Sequence, residues 1–426
     1  MNRPELPRRV RRTVAVAVLA LCSVLAVPTA SSALPVPTST ATVPTASVAA
    51  PAAASAATTP VVTWAASADR LDAAVPARTH RVVVHTSAGG SALRIRLSNA
   101  FGEQPVTFGR AYAGVRDAGA ALVPGSNRAL SFQGAASVTV PPGGSVYSDP
   151  LPGAVRPQSD LAISVYVQDA VGTATGHRMG LQTSYIAPDG DHAAEDTAAA
   201  FTQQTGFRYY LDAVVVDAPR GTGAVVALGD SITDGAISTA DANRRWPDFL
   251  AGRLRSDRRT SLKGVANEGI SGNKVLSDGA GESALKRLDR DVLSQRGLRT
   301  VILLEGVNDI KATPAPTAAQ VIAGYREIIA RTHAAGACVV GATVMPYEGW
   351  REWNQSGEAV RQEVNTFIRE SGAFDGVVDF DAAVKDPAAP SKILPAYDSG
   401  DHLHPNDAGM KVMSDTVDVR GLRCGR

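Results

Sequence analysis

Beyond Arg220, short apolar runs alternate with stretches of helical period, and this alternation restricts the fold more than any other feature of the chain. The runs at 225–228, 264–266, 301–304, 339–343 and 377–380 are short and mainly apolar, as suits strands buried on both faces. Between them Leu285, Leu288, Val292 and Leu293 fall on one helical stripe. Val321, Ile322, Tyr325, Ile328 and Ile329 fall on another, which ends near Gly336. Strands alternating with helices predict a doubly wound parallel sheet, an α/β domain over 222–426 whose active residues lie beyond the carboxyl ends of the strands.

Upstream the period changes to two. Leu93, Ile95 and Leu97 alternate with Arg94 and Arg96, and Leu161, Ile163, Val165 and Val167 alternate with Ala162, Ser164 and Tyr166. Short strands of this kind, separated by Gly, Pro, Asp and Asn, predict an all-β sandwich of jelly-roll type over 60–218. Its His80, His85, His177 and His192 stand at no metal-ligand spacing and are expected to be ordinary surface or core residues.

The first 33 residues read as an address. Arg3, Arg8, Arg9, Arg11 and Arg12 precede an uncharged run from Thr13 to Val27, and small residues follow up to Ala33. That run is too short for a membrane-spanning helix and suits a secretory signal cleaved near Ala33, so a secreted protein without a transmembrane anchor is expected. Residues 34–59 are almost wholly Ala, Pro, Thr, Ser and Val, the composition of a disordered or extended tether. The whole chain has 42 Lys and Arg against 41 Asp and Glu, with no long basic stripe, which argues against a nucleic-acid partner.

Four short blocks follow predicted strands. Gly229-Asp230-Ser231 places a serine at a helix start, where its own N–H is unpaired. In the stretch from Asn267 to Asn273, Gly272 lets the backbone offer an N–H to a ligand without a Cβ in the way. Gly306-Val307-Asn308-Asp309 brings an amide to the same sheet edge. In Asp401-His402-Leu403-His404-Pro405 a carboxylate three residues before an imidazole can fold back onto Nδ1 and free Nε2 to accept a serine proton. Each block taken singly reads equally well as a capped turn or a loop-stabilising hydrogen bond.

Together, in this order and with no family position substituted, the blocks resemble the SGNH (GDSL-type) hydrolase family over about residues 222–422. The layout is similar to that of secreted, actinobacterial-type, acetylxylan-esterase-like members with a leading β domain. The resemblance implies Ser231 as nucleophile, His404 as general base and Asp401 as its orienting carboxylate. It implies an oxyanion hole from the N–H groups of Ser231 and Gly272 and the side chain of Asn308, with no metal or organic cofactor. G-x-S-x-G occurs nowhere, so the strained nucleophile elbow of α/β-hydrolases is not expected.

The expected function is a secreted serine esterase that deacetylates carbohydrate (xylan-type) esters. Lipase or lysophospholipase action on longer acyl chains is the alternative, and a non-catalytic carbohydrate-binding or wall-associated protein the alternative of another class. Tyr347, Trp350 and Trp353, after the fourth apolar run, are candidates for contact with a sugar ring or an acyl chain, with packing onto the next helix as the equal alternative. Cys338 and Cys424 are a candidate disulfide: the first opens a strand at the end of the sheet away from the active edge, and the last helix, starting near Pro405, runs back towards it. Trp246 is expected in the core.

Overall fold

The computed structural model describes residues 57–422. The expected signal segment, all but the end of the expected tether, and Cys424 lie outside the described residues.

Six long strands organise the antiparallel half: β1 (Thr58–Ala65), β2 (Arg78–His85), β3 (Gly90–Ser98), β4 (Val106–Val115), β5 (Asp160–Asp169) and β6 (Leu211–Pro219). β1, β6 and β3 pair in that order in one sheet, and β2, β5 and β4 form the centre of a second. The alternating residues seen in the sequence face each other across the two sheets: Leu93, Ile95 and Leu97 from β3 share a core with Val106 and Phe108 from β4 and Ile163 and Val165 from β5. A smaller three-stranded sheet joins Asp69–Ala73, Thr173–His177 and Arg208–Tyr209.

β7 (Gly223–Gly229) follows β6 after a turn of three residues and opens the parallel sheet, with β8 (Leu262–Gly269), β9 (Leu298–Leu304), β10 (Cys338–Ala342) and β11 (Gly376–Val378). Its spatial order is β8-β7-β9-β10-β11, all parallel. Val225, Val226, Val301, Ile302, Val339 and Val340 are fully or almost fully buried, as the unbroken apolar runs require. Helices α1 (Ser231–Asp234), α2 (Trp246–Ser256), α3 (Val307–Ile310), α4 (Ala318–Ala334), α5 (Gln355–Glu370) and α6 (Asp407–Thr416) pack around it. In α4 the predicted stripe Val321, Tyr325, Ile328 and Ile329 is buried, and Thr317 with Gln320 forms a capping box at its start. Trp246 is wholly buried at the head of α2.

Three details depart from the sequence reading. Phe380 belongs to no strand: Asp379 accepts the N–H of Ala382 and starts a short helix, Phe380–Val384, that turns the ring into the core. The stripe from Leu285 to Leu293 is a short α-helix, Ala284–Arg287, running into a π-helical turn, Leu288–Leu293. The last helix begins at Asp407 rather than beside Pro405, because Asn406 caps it by accepting the N–H groups of Ala408 and Gly409.

β1 belongs to both halves. It pairs with β6, with a register shift between Val62 and Trp64. Trp64 points into the sandwich core, while Val61, Val62 and Ala65 join the core beneath the parallel sheet. The approach is close enough that a Cβ on Gly264 of β8 would lie 2.3 Å from the Val62 carbonyl oxygen, so only glycine fits there. Among the described residues no helix is long and apolar enough to cross a membrane.

Candidate active site

The strand ends bring the four blocks together. After β7, Asp230 caps α1 by accepting the Ile232 N–H at 2.9 Å, which sets Ser231 at the first helical position with only 7% of its surface exposed. The loop after β8 carries Ser271, Gly272 and Asn273. That after β9 carries Asn308 and Asp309, both buried. The 401–405 segment precedes α6 and lies over α1.

His404 Nε2 is 2.9 Å from Ser231 Oγ, and His404 Nδ1 is 2.6 Å from Asp401 Oδ2. A carboxylate offers only acceptors, so Nδ1 carries the proton and Nε2 is left to accept from the serine hydroxyl. The other Asp401 oxygen accepts the backbone N–H groups of Leu403 and His404, at 2.9 and 2.8 Å. Burial pushes the Asp401 carboxyl up, but these N–H groups and the imidazole outweigh it and hold the acid below its ordinary value. A second pair sits beside the first: Asp398 accepts from His402 Nδ1 at 2.6 Å, on a more exposed imidazole whose residue has φ +68°. Of the two adjacent histidines, one turns to the serine and the other ties down the loop.

Gly272 adopts φ +83°, a conformation that disfavours a side chain. Asn308 Nδ2 donates to the carbonyl of Asn273 at 2.9 Å, which aligns the amide with the Gly272 loop and leaves its second hydrogen for another acceptor. Asp309, the last residue of its block, accepts the N–H groups of Val275 and Leu276 at 2.7 and 3.1 Å and so fastens the same loop from below. The sequence carried no signal for its partners.

A second residue that sequence reasoning missed is Arg287. It is fully buried beneath the strand ends and donates to Gly229 O, Glu268 O, Asn273 Oδ1 and Ser67 Oγ at 2.8–3.0 Å. One guanidinium thereby joins two strand ends, the Gly272 loop and the antiparallel half. Around it Glu268 and Glu305 are buried carboxyls pushed well above the ordinary value by desolvation, and burial raises Asp230 to about 7.

Of the three aromatic candidates, only Trp350 reaches the triad. Its ring meets the His404 ring edge to face, centroids 5.9 Å apart, and Lys311 Nζ lies 4.8 Å from its centroid. Tyr347, expected at the substrate, is instead wholly buried in the core, its hydroxyl 2.8 Å from where a Cβ on Gly357 of α5 would lie. Trp353 likewise packs against that core, its indole N–H buried without a partner in the chain. Packing against the core, for Tyr347 under α5, is thus what holds these two rings. Cys338 is buried and disulfide-bonded, while Cys424, the expected partner, lies outside the described residues.

Residues 227–412, which span all four blocks, match the family model of the GDSL-like lipase/acylhydrolases. This part of the chain is a GDSL-like lipase/acylhydrolase domain. The acylhydrolase domain is the catalytic half of a serine ester hydrolase, and it has the SGNH α/β fold. Solved structures similar to it include a catalytic mutant of an acetylxylan esterase from Geobacillus stearothermophilus, at 22% identity, covering 47% of this chain and 95% of that one with a TM-score of 0.37. A carbohydrate acetylesterase from Sinorhizobium meliloti is 17% identical over 45% of this chain and 95% of its own, with a TM-score of 0.37. An aryl esterase from M. smegmatis is 18% identical over 47% of this chain and 100% of its own, with a TM-score of 0.38. No curated protein matches the chain.

Proposed function

We propose that the protein is a secreted serine esterase that removes acetyl groups from carbohydrate through an acyl-enzyme. The observation that carries the chemistry is the unbroken chain from Ser231 Oγ through His404 to Asp401. Ser231 Oγ attacks the ester carbonyl as its proton passes to His404 Nε2, and Asp401 stabilises the resulting imidazolium. The carbonyl oxygen gains its charge beside the N–H groups of Ser231 and Gly272 and the free Asn308 amide hydrogen, which act as its donors. Collapse breaks the bond to the alcohol oxygen, which takes the proton from His404. Water then attacks the acyl-Ser231 carbonyl, gives its proton to the same nitrogen and releases the acid, while Ser231 recovers the proton.

For the substrate, the supporting observation is the cavity beside the Gly272 loop. It holds about 570 Å³; Asp69, Arg70, Arg178, Asp278 and Glu282 line it together with the apolar Met179, Ile270 and Ala280, and Asp234 and Ser271 close it on the side of the Gly272 loop. Its carboxylates and guanidinium groups offer hydrogen bonds to the hydroxyls of a sugar, beside an apolar stretch that takes the face of a ring or a short acyl group. For secretion, the support is the basic and then apolar leader ending in small residues, and sequencing the mature N-terminus should find it near Leu34.

The test is a series of 4-nitrophenyl esters from acetate to octanoate, with acetylated xylo-oligosaccharides alongside, on the full protein and Ser231→Ala. Acetate and sugar acetates should be turned over best and Ser231→Ala should be silent. A maximum at octanoate would reject the carbohydrate reading and favour a lipase.

A further inference from the structure

His177 ends the strand Thr173–His177 in the antiparallel half, yet its ring reaches the catalytic helix of the other half. Nδ1 lies 3.0 Å from the carbonyl oxygen of Ser67; Nε2 lies 2.9 Å from Asp234 Oδ1 and 3.1 Å from the carbonyl oxygen of Met179. All three are acceptors without a hydrogen to give. A neutral imidazole could donate to only one side, so this geometry requires protons on both nitrogens and His177 is an imidazolium. It is 6% exposed and Asp234 3%, so the two charges form a buried pair. Burial opposes the charge on His177, but Asp234 outweighs it and the net direction is upward.

Asp234 is the last residue of α1, which begins with Ser231. Its second oxygen accepts both the hydroxyl and the backbone N–H of Ser271, at 2.7 and 3.1 Å. The next residue is Gly272. From these contacts we propose that His177 is a positioning residue for ester hydrolysis. It pins the Asp234 carboxylate, Asp234 grips Ser271 twice, and the Gly272 N–H is thereby held at a fixed distance from the nucleophile on the same short helix. The antiparallel half then supplies part of the rigidity of the oxyanion hole, a role that neither the four blocks nor the family's own residues assign to it.

The inference rests on the proposed roles of Ser231 and Gly272, and its test separates the two. Steady-state turnover of 4-nitrophenyl acetate is measured on the full protein, on Ser231→Ala, His177→Gln, Ser271→Ala and the double variant His177→Gln/Ser271→Ala, and on Thr183→Val. The last removes another contact between the halves, the Thr183 hydroxyl on Asp241 at 2.7 Å, away from the site. His177→Gln should lower kcat about 10- to 100-fold with KM within about two-fold, because a displaced donor costs transition-state binding rather than ground-state binding. Ser271→Ala should lower kcat about ten-fold, and the double variant should fall no more than about two-fold below the worse single one, as links of one chain do. Thr183→Val should retain full kcat.

Unchanged kcat in His177→Gln while Ser231→Ala is inactive would overturn the positioning role and leave the triad standing. So would losses that multiply in the double variant, or an equal loss in Thr183→Val. Residual turnover in Ser231→Ala would overturn the triad and this inference together. Should His177→Gln fail to fold, Ser271→Ala decides by itself: full kcat there rejects the chain.

Discussion

The two halves of the molecule bury polar groups for opposite ends. In the parallel half one set of buried groups converges on the strand ends: Asp230, Glu305, Asp309 and Arg287 lie under or beside the serine, and all but Arg287 are carboxyls that burial raises. In the antiparallel half, His177 and Ser67 apart, buried groups such as His80 and Arg81 lie away from the serine. His80 is buried with Nδ1 unpartnered, its ring 4.4 Å from that of Tyr209, and burial, helped by Arg78, lowers its pKa to about 3. Arg81 instead donates to Ser164 in its own sheet and to the carbonyls of Ala120, Glu195 and Thr197, tying two loops to that sheet. A sheet with a face to fill can bury a polar group wherever the local bonds allow. A catalytic edge must gather them where charge develops during the reaction, and it does so at a cost in desolvation.

This contrast can be broken first at the serine. Ser231→Ala should reduce kcat by about 10⁴-fold or more while leaving the melting temperature near that of the parent, since the hydroxyl has one partner and the alanine leaves no charge unpaired. Steady-state kinetics beside a thermal melt checks both halves of the statement. Arg287→Ala should have the reverse signature in its stability: removing a buried guanidinium with four acceptors should cost about 3–5 kcal/mol in denaturant unfolding, by leaving Glu268, Asn273 and Ser67 groups without their donor. A loss below about 1 kcal/mol would mean that the junction between the halves does not depend on it.

Asn308→Ala should lower kcat about 10²- to 10³-fold with little change in KM, the mark of a donor used chiefly in the transition state. A rise in KM at constant kcat would instead assign the amide to substrate binding. The smallest effect sharpens the contrast through pH. His80 is held neutral when folded, so the unfolded chain binds the extra proton and stability falls as pH drops from about 6.5 towards 3. Asp230 has the opposite sign: its folded value of about 7 lies above the unfolded one, so the proton it holds stabilises the fold at low pH, and that contribution is lost as pH rises from about 4 through 7. Each slope is at most about 1.4 kcal/mol per pH unit. Melting temperature against pH should therefore flatten on its acid side in His80→Gln and on its neutral side in Asp230→Asn, which keeps the helix cap. Parallel curves for all three proteins would remove the titration argument.

The sequence by itself determined the order of elements and which residues are proposed to react. A parallel strand needs an unbroken apolar run and α4 an apolar stripe, and both periods survive in one dimension. The spacing from Asp401 to His404 lies within one loop, so the carboxylate can fold back onto the imidazole, and the structure has that contact. What the tertiary structure alone decided lies between elements distant in sequence. Nothing local shows that Tyr347 turns inward under α5 while Trp350 turns to His404, or that β1 faces two cores. Nor does it show that His177, at a strand end with no ligand spacing, meets a carboxylate 57 residues later. The reason is physical. Periodicity and spacing encode which face of an element is apolar and what a short loop can reach, whereas the partner of a buried charge is fixed only when packing brings two elements together and excludes the water that would otherwise have satisfied it.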